Sequence, residues 1–591
     1  MDKGMPEHGD RRALRLAALA AAVAFLVFLP SLWGGFIWDD HQAIEQPAAR
    51  DAFQIGQVGT VFSSDYFRNY RELTYRPVVT LSYFLDYALW RQEAFGWRLT
   101  NLLLHAVAAA MAFFWCVRVS GRPALSLAAA LLFAVHPVQA EVVNNASFRE
   151  DLLCTVFALV SLLLYEISRG DEKTSSRPYF AILGSDPRMA LAALCYGAAA
   201  FSKEAAILLV PGVIVFRELT APRRGERGRH RLLQLAPLLV VGALYALVRF
   251  AWMRIDAPEV AKYPGGSFWT ALAMVPRLVL VYLRLAAWPI GLHAQRTIEP
   301  ASSDWLGWLI GAPLVAIVMI VIASLKERRI RDGASSGLAW FGLALVPVLN
   351  LAALANPVAE RYLYLPSLGL YLCEVSLIAA ALNAVQRSEF TRKVTGPIAI
   401  VLIAALASRS LGLSATWASD KAIWRHTLLY DPRNAKALNN LGVEYYHEGE
   451  TARAIATYQR NTALHPDNLP ARRQLSSLYM EAGRYEEAAR ELEAALQLGP
   501  PGPALYYDLG RLRLATGKPQ QARQALVSAL ALDPQHFGAR LRLALALSEL
   551  GEADAARKEL EIASQLARTK EEQAELRAAA QQIAGKMRSS R

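Results

Sequence analysis

The stretch RRALRLAALAAAVAFLVFLPSLWGGFIWDDH, Arg11 to His41, decides the class of this chain. From Ala13 to Trp38 it carries a single charge, Arg15. A bilayer core needs about 20 consecutive apolar residues, so the run reads as a membrane span. It lacks a small-residue cleavage pattern and reads as an uncleaved anchor. Arg11 and Arg12 precede it, which keeps the N-terminus cytoplasmic. Asp39 and Asp40 then emerge on the far face. Two acids there either mark the end of a hydrophobic helix or hold a carboxylate at the membrane surface for chemistry.

Composition supports a two-part chain. Of 591 residues 54% are apolar and 19% charged, too apolar for a soluble protein and too polar for spans throughout. From Asn434 onward 21 basic residues face 19 acidic ones, so +10 of the net charge of +12 belongs to the first 433 residues. That excess sits in short loops, a topology signal rather than a nucleic-acid surface, and no nucleic-acid partner is expected. The four cysteines, Cys116, Cys154, Cys195 and Cys373, are scattered through apolar stretches and form neither a disulfide framework nor a metal set.

Further apolar stretches lie at 98–118, 124–142, 150–168, 189–202, 204–218, 232–252, 304–325, 336–354, 362–385 and 395–414. With the first they predict eleven spans. A further stretch, 268–290, is interrupted by Arg277 and Arg284 and reads as an amphipathic surface helix or a re-entrant hairpin. Eleven spans place four basic loops beside the cytoplasmic N-terminus: Arg118 and Arg122; Arg223 to Arg231; Lys326 to Arg331; and Arg387, Arg392 and Lys393. The remaining C-terminal region then lies outside the cytoplasm.

That region has a 34-residue period. Pro432, Pro466, Pro500 and Pro534 keep it, as do Gly449, Gly483, Gly517 and Gly551, and Ala454, Ala488, Ala522 and Ala556. The period and its punctuation are the signature of tetratricopeptide helix–turn–helix units. Proline ends each unit, and the alanines let paired helices pack closely. The chain therefore divides into an all-α membrane domain (1–415), a linker helix (416–433), four repeats (434–569) that form an α-solenoid, and a capping helix with its tail (570–591). The concave face of such a stack suits a protein or peptide partner.

Polar residues cluster where the predicted spans end on the outer face. His136 and Glu141 close the third span, and Arg149, Glu150 and Asp151 open the fourth. Lys203 and Glu204 sit at one outer turn, and Glu360 and Arg361 open the tenth span. Tyr75 and Arg76 lie in the long first loop, with Asn101 and His105 just inside the second span. Such groups either satisfy one another as ion pairs or converge on a substrate. Arginine presents a planar fork to phosphate oxygens. A nearby carboxylate can take the proton of an acceptor hydroxyl while a phosphate-bearing leaving group departs. Those residue types suit inverting glycosyl transfer from a lipid-linked sugar, with no metal or cofactor required.

The segments FIWDDHQAI (36–44), YRPVVTLSYFLDYAL (75–89), NLLLHA (101–106), LFAVHPVQAEVV (132–143), REDLL (149–153), SKEAAILL (202–209) and AERYLYLPSLGLYL (359–372) occur in one order before the repeats. In this the chain resembles the transmembrane and tetratricopeptide-repeat O-mannosyltransferases of the C-type glycosyltransferase superfamily. The resemblance implies a catalytic carboxylate at Asp40 or Asp39. It implies donor-phosphate contacts from Arg76, Arg149, Lys203 and Arg361, with His105, His136, Glu141, Asp151, Glu204 and Glu360 in support. The implied donor is a polyprenyl-phosphate sugar, mannose among the options, and the implied acceptor is a protein Ser or Thr recruited by the repeats. Phe148 departs from the pattern, standing where the family has glycine. The alanine- and arginine-rich composition looks bacterial, which points to an inner membrane with periplasmic repeats. A non-enzymatic repeat scaffold, a flippase and a glycan ligase are the competing classes.

Overall fold

The computed structural model describes residues 7–45, 53, 55–62, 75–170, 187–220, 236–252, 263–385, 389–567 and 569–589. The basic loop from Arg223 to Arg231, Arg387 and much of the first long loop lie outside them. The described residues form helices and no strand, and the chain divides into two compact units, Met1–Tyr430 and Asp431–Arg591.

In the first unit α1 (Glu7–Phe28) tightens into a 3-10 turn, Leu29–Trp33, where Pro30 removes a helix donor. After α2 (Pro77–Trp90) comes α3 (Ala94–Ser120), the longest of the early helices, ended by Gly121 at φ +62°. The next helix, α4 (Pro123–Val135), stops before Pro137. The chain bends by 49° through Pro137–Gln139 into α5 (Ala140–Asn144). Then follow α6 (Arg149–Gly170), α7 (Pro187–Ala200), α8 (Ala205–Thr220), α9 (Ala236–Ala246), α10 (Phe268–Ala287), α11 (Leu306–Ser324) and α12 (Arg328–Leu345). The unit closes with α13 (Tyr364–Val385), α14 (Glu389–Thr416) and α15 (Asp420–Tyr430).

Seven described helices are long and apolar enough to cross a membrane, or eight if the bent pair α4 and α5 is one span. Composition predicted eleven. The difference lies in α7 and α8, whose 14 and 16 residues reach about 21–24 Å, short of a ~30 Å core. It lies also in α9, which continues through a π-helical turn but whose described apolar helix, Ala236–Ala251, is still short, and in α12, whose first turns are charged. Conversely, α10 runs unbroken through Arg277 and is apolar enough to span. Arg277 is neutralised from outside the helix by Asp304, with Nε 3.0 Å from Oδ1.

The exposed apolar surface suits membrane integration. Leu309, Ile310 and Ile320 on α11 are 73%, 72% and 68% exposed, and Ile398, Ile400 and Val401 on α14 are similarly bare. Apolar surface this extensive marks a face built to meet a membrane or another apolar partner. Inside, α12 and α13 cross on Gly337 and Gly369, where a Cβ on either glycine would lie 2.5 Å from the other's carbonyl oxygen. Small residues at such a crossing let two backbones approach as membrane helices require.

In the second unit, helix pairs repeat four times: α16 (Ala435–His447) with α17 (Thr451–Leu464), α18 (Leu469–Glu481) with α19 (Tyr485–Leu496), α20 (Pro503–Ala515) with α21 (Pro519–Leu532), and α22 (Phe537–Glu549) with α23 (Ala553–Leu566). A last helix, α24 (Lys570–Ser589), follows. Each intra-pair turn places its glycine at positive φ, between +68° and +83°. Ala454, Ala488, Ala522 and Ala556 are fully buried at the pair contacts.

Candidate active site

The site begins with a backbone reversal. Trp38 holds φ +50°, a conformation costing a bulky residue about 1–3 kcal/mol. An aromatic nest offsets it. Trp38 stacks on Trp417 with ring centroids 6.4 Å apart and meets Trp424 and Phe148 edge-on at 5.2 and 5.9 Å. Its amide donates to Asp420 Oδ1 at 2.8 Å. The reversal separates the two acids: Asp39 is exposed and Asp40 is fully buried.

Asp40 accepts three backbone N–H groups, from Ile37 (3.2 Å), Ala146 (3.4 Å) and Ser147 (2.7 Å). Burial pushes its carboxyl up to about 6, against the pull of Arg98 and of the Ser147 and Ile37 amides. Arg98 is itself buried and donates to Ser31 O, Gly35 O and Trp417 O at 2.5–3.0 Å. Next along the chain, His41 Nε2 lies 2.8 Å from Asp420 Oδ2, and Nδ1 pairs with Glu45. The Asp420 hydrogen bond, with help from Glu45, raises the imidazole to about 9 despite partial burial.

The turn that Asp40 grips, Ala146–Phe148, leads into the polar face. Phe148 packs under the Arg361 guanidinium, 4.4 Å from ring centroid to Cζ, so the bulky departure from glycine has a packing partner. Arg361 Nη1 donates to Glu141 Oε1 at 2.6 Å, and its amide donates to Oε2 at 2.8 Å. Asp39 lies within its electrostatic reach. Tyr362 is shared by Arg361 and Lys203 as a cation–π partner at 5.3 and 5.9 Å. Lys203 Nζ donates to Asp151 Oδ1 at 2.6 Å. Arg76 bridges Glu150 Oε1 (3.0 Å) and Glu204 Oε2 (3.1 Å), and its buried Nε has no hydrogen-bond partner. Burial disfavours its charge, but Glu204 and Glu150 outweigh that and raise its pKa further. Glu360 accepts from the His293 amide at 2.6 Å and from Arg296 Nη2 at 2.9 Å.

Arg76, Lys203, Arg361, Glu141, Asp151 and Glu204 thus share one connected network that reaches Asp39 through Arg361. Arg149 points elsewhere. It is fully buried, with Nη2 2.5 Å from Asp86 Oδ2 and Nε 2.8 Å from Asn101 Oδ1, and it lies over Tyr83 and Trp97. His105 and His136 are enclosed in helix packing. His105 Nδ1 lies 2.8 Å from Tyr364 Oη, and His136 Nδ1 accepts from the Val138 amide. Sequence reasoning missed Arg98, Asp420, Arg249 and Arg296. Asp420 lies 379 residues from its partner His41, so only topology joins them. Arg249 completes the cluster 3.7 Å from Glu204 Oε1. Among the described residues no three His, Cys, Asp or Glu side chains converge as a metal set.

An exposed carboxylate within electrostatic reach of Arg361, itself linked to Lys203, can pair a proton acceptor with a phosphate grip. Two family profiles described as Tetratricopeptide repeat match residues 420–468 and, in three segments, 445–580. The chain is 24% identical over 483 residues to Protein O-mannosyl-transferase F38B6.6 of Caenorhabditis elegans, covering 79% of this chain and 65% of that one. It is 25% identical to Protein O-mannosyl-transferase TMTC3 of Mus musculus (79% and 53% covered). It is also 25% identical to Protein O-mannosyl-transferase TMTC4 of Homo sapiens (74% and 65%). The chain therefore spans between half and two thirds of these relatives' length. Among solved structures the repeats are similar to YrrB, at 22% identity and a TM-score of 0.22, covering 24% of this chain and 74% of that one.

Proposed function

We propose, on the premise that this chain is a homologue of the repeat-bearing protein O-mannosyl-transferases, that it transfers a sugar from a polyprenyl-phosphate donor to a hydroxyl acceptor. Mannose is the first sugar to test and a protein Ser or Thr the first acceptor. The reaction takes place on the extracytoplasmic face, the periplasmic side of an inner membrane in a bacterial cell. One observation carries the assignment of roles: Asp39 is exposed and within electrostatic reach of Arg361, whereas Asp40 spends its carboxylate on backbone amides.

In this reading the acceptor oxygen attacks the anomeric carbon as the bond to the donor phosphate breaks, with inversion. Asp39 takes the hydroxyl proton. The departing phosphate carries the charge that Arg361, Lys203 and Arg76 stabilise, and the unsatisfied Nε of Arg76 is one donor ready for it. Asp40 and Arg149 act as positioning residues. Asp40 ties the end of the first span to the turn at Ser147, and Arg149 ties α6 to α2 and α3. The repeats recruit the acceptor. The test is transfer of radiolabelled mannose from polyprenyl-phosphate mannose to a Ser/Thr peptide by the purified full chain in detergent. The expected result is turnover in wild type and a kcat lower by about 10²–10⁴-fold in Asp39→Asn. Full turnover in that variant removes Asp39 as the base. Wild-type protein that binds peptide but never consumes the donor leaves a repeat scaffold instead.

A further inference from the structure

A cavity of about 590 Å³ lies in the first unit, lined by none of the site residues described above. Its volume falls within the ~300–1,000 Å³ of pockets that enclose small ligands. Leu125, Ala128 and Leu132 of α4, Ile378 and Leu382 of α13, and Leu402 of α14 wall it with apolar groups. Arg122 and Arg329 stand at its edge beside Gly121.

Its position follows from α3. Arg98 and Gly121 mark opposite ends of that helix, 23 residues or about 35 Å apart, and Arg98 is the arginine facing Asp40. The cavity therefore opens about one bilayer thickness from the carboxylate pair. It is also open sideways: Leu402 lines it yet is 53% exposed, beside the bare Ile398 and Val401. The edge is basic. Arg122 pairs with Glu327, but Arg329 is exposed, its Nη1 3.5 Å from Gly121 O, and Arg118, Lys326 and Arg328 are exposed nearby in chain.

An apolar slot open to lipid, with surplus cations where headgroups lie, matches one molecule in shape and charge. We propose that the cavity seats an acyl chain of an anionic phospholipid, its phosphate held at Arg122 and Arg329, in the leaflet opposite the carboxylate pair. A zwitterionic lipid would fill the slot without using the surplus positive charge. The inference needs only that this unit lies in a membrane and is independent of the catalytic reading.

Native mass spectrometry of the delipidated full chain, titrated with phosphatidylglycerol or phosphatidylcholine, tests it. Wild type should retain one phosphatidylglycerol at concentrations roughly tenfold below those needed for phosphatidylcholine. The double variant Arg122→Gln/Arg329→Gln should lose that preference. Ala128→Trp, which fills the slot, should lower retention of both lipids. Equal retention of the two lipids by wild type overturns the proposal, as does an undiminished preference in the arginine variant. Thermal unfolding checks that each variant is folded. If the tryptophan variant is not, the arginine pair carries the test alone.

Discussion

His41 Nε2 and Asp420 Oδ2 lie 2.8 Å apart, joining the end of the first span to the start of α15. The folded protein holds the imidazole proton up to about pH 9, whereas the unfolded chain releases it near 6.5. This contribution is therefore complete below about pH 6.5 and fades as pH rises through 9. Thermal melting in detergent should show a falling midpoint across that window in wild type and a shallower slope in His41→Gln. An unchanged slope would sever the link.

Asp39 and Asp40 should separate cleanly. Asp39→Asn should melt like wild type while kcat falls by about 10²–10⁴. Asp40→Asn should melt lower, because one of its oxygens becomes an amide donor facing backbone N–H groups, a loss of about 1–3 kcal/mol. Its pH signature differs too. With its carboxyl lifted from 3.8 to about 6, stability falls as pH rises between those values. Asp40→Asn should flatten that stretch of the melting curve.

Arg149 and Arg76 carry the same charge but should fail differently. Arg149→Gln leaves Asp86 buried without its cation and should destabilise by about 3–5 kcal/mol. Arg76→Gln should lower kcat, and with it kcat/KM for the lipid-linked donor, by about 10²–10³-fold with a smaller stability change. Steady-state kinetics beside melting curves separate the two. Equal losses of stability would place Arg76 in the scaffold.

Gly510 and Leu526 test the repeats. A Cβ on Gly510 would lie 2.5 Å from Leu526 Cγ, between α20 and α21. Gly510→Ala should cost about 1–3 kcal/mol by overpacking. Adding Leu526→Ala should cost less than the sum of the single changes. Chemical denaturation of the full chain, followed through the second unit, gives the cycle.

What could be foreseen differs between the units for a physical reason. Each repeat is two local helices whose breaks are written in place by Gly449, Gly483, Gly517, Gly551 and the prolines, so the four helix pairs were readable from spacing. Spans need length as well as composition. The runs at 189–202 and 204–218 were apolar enough, but the helices described there have 14 and 16 residues, fewer than the ~20 a bilayer core takes, and Arg277 hid a continuous α10 because its neutralising Asp304 comes from beyond the helix. Side-chain direction was the hardest to read. Arg149 and Arg361 both open helical segments among acids, yet Arg149 is enclosed against Asp86 while Arg361 joins the network that reaches Asp39. On paper Asp40 stood ahead of Asp39 as the base, whereas the turn at Trp38 buries Asp40 and leaves Asp39 exposed.

Arg98 has a consequence beyond its hydrogen bonds. Its guanidinium reaches the carbonyls of Ser31 and Gly35, on either side of Gly34, whose hypothetical Cβ would lie 2.5 Å from Arg98 Nη1. It therefore acts as a ruler: it counts the residues between the end of the first span and the acids and is indifferent to most side chains there. A one-residue deletion in that interval would move the acids out of phase with the Trp38 reversal, bringing a different side chain to the exposed position while every titratable group remained in the chain. In this loop spacing is under the same constraint as residue identity.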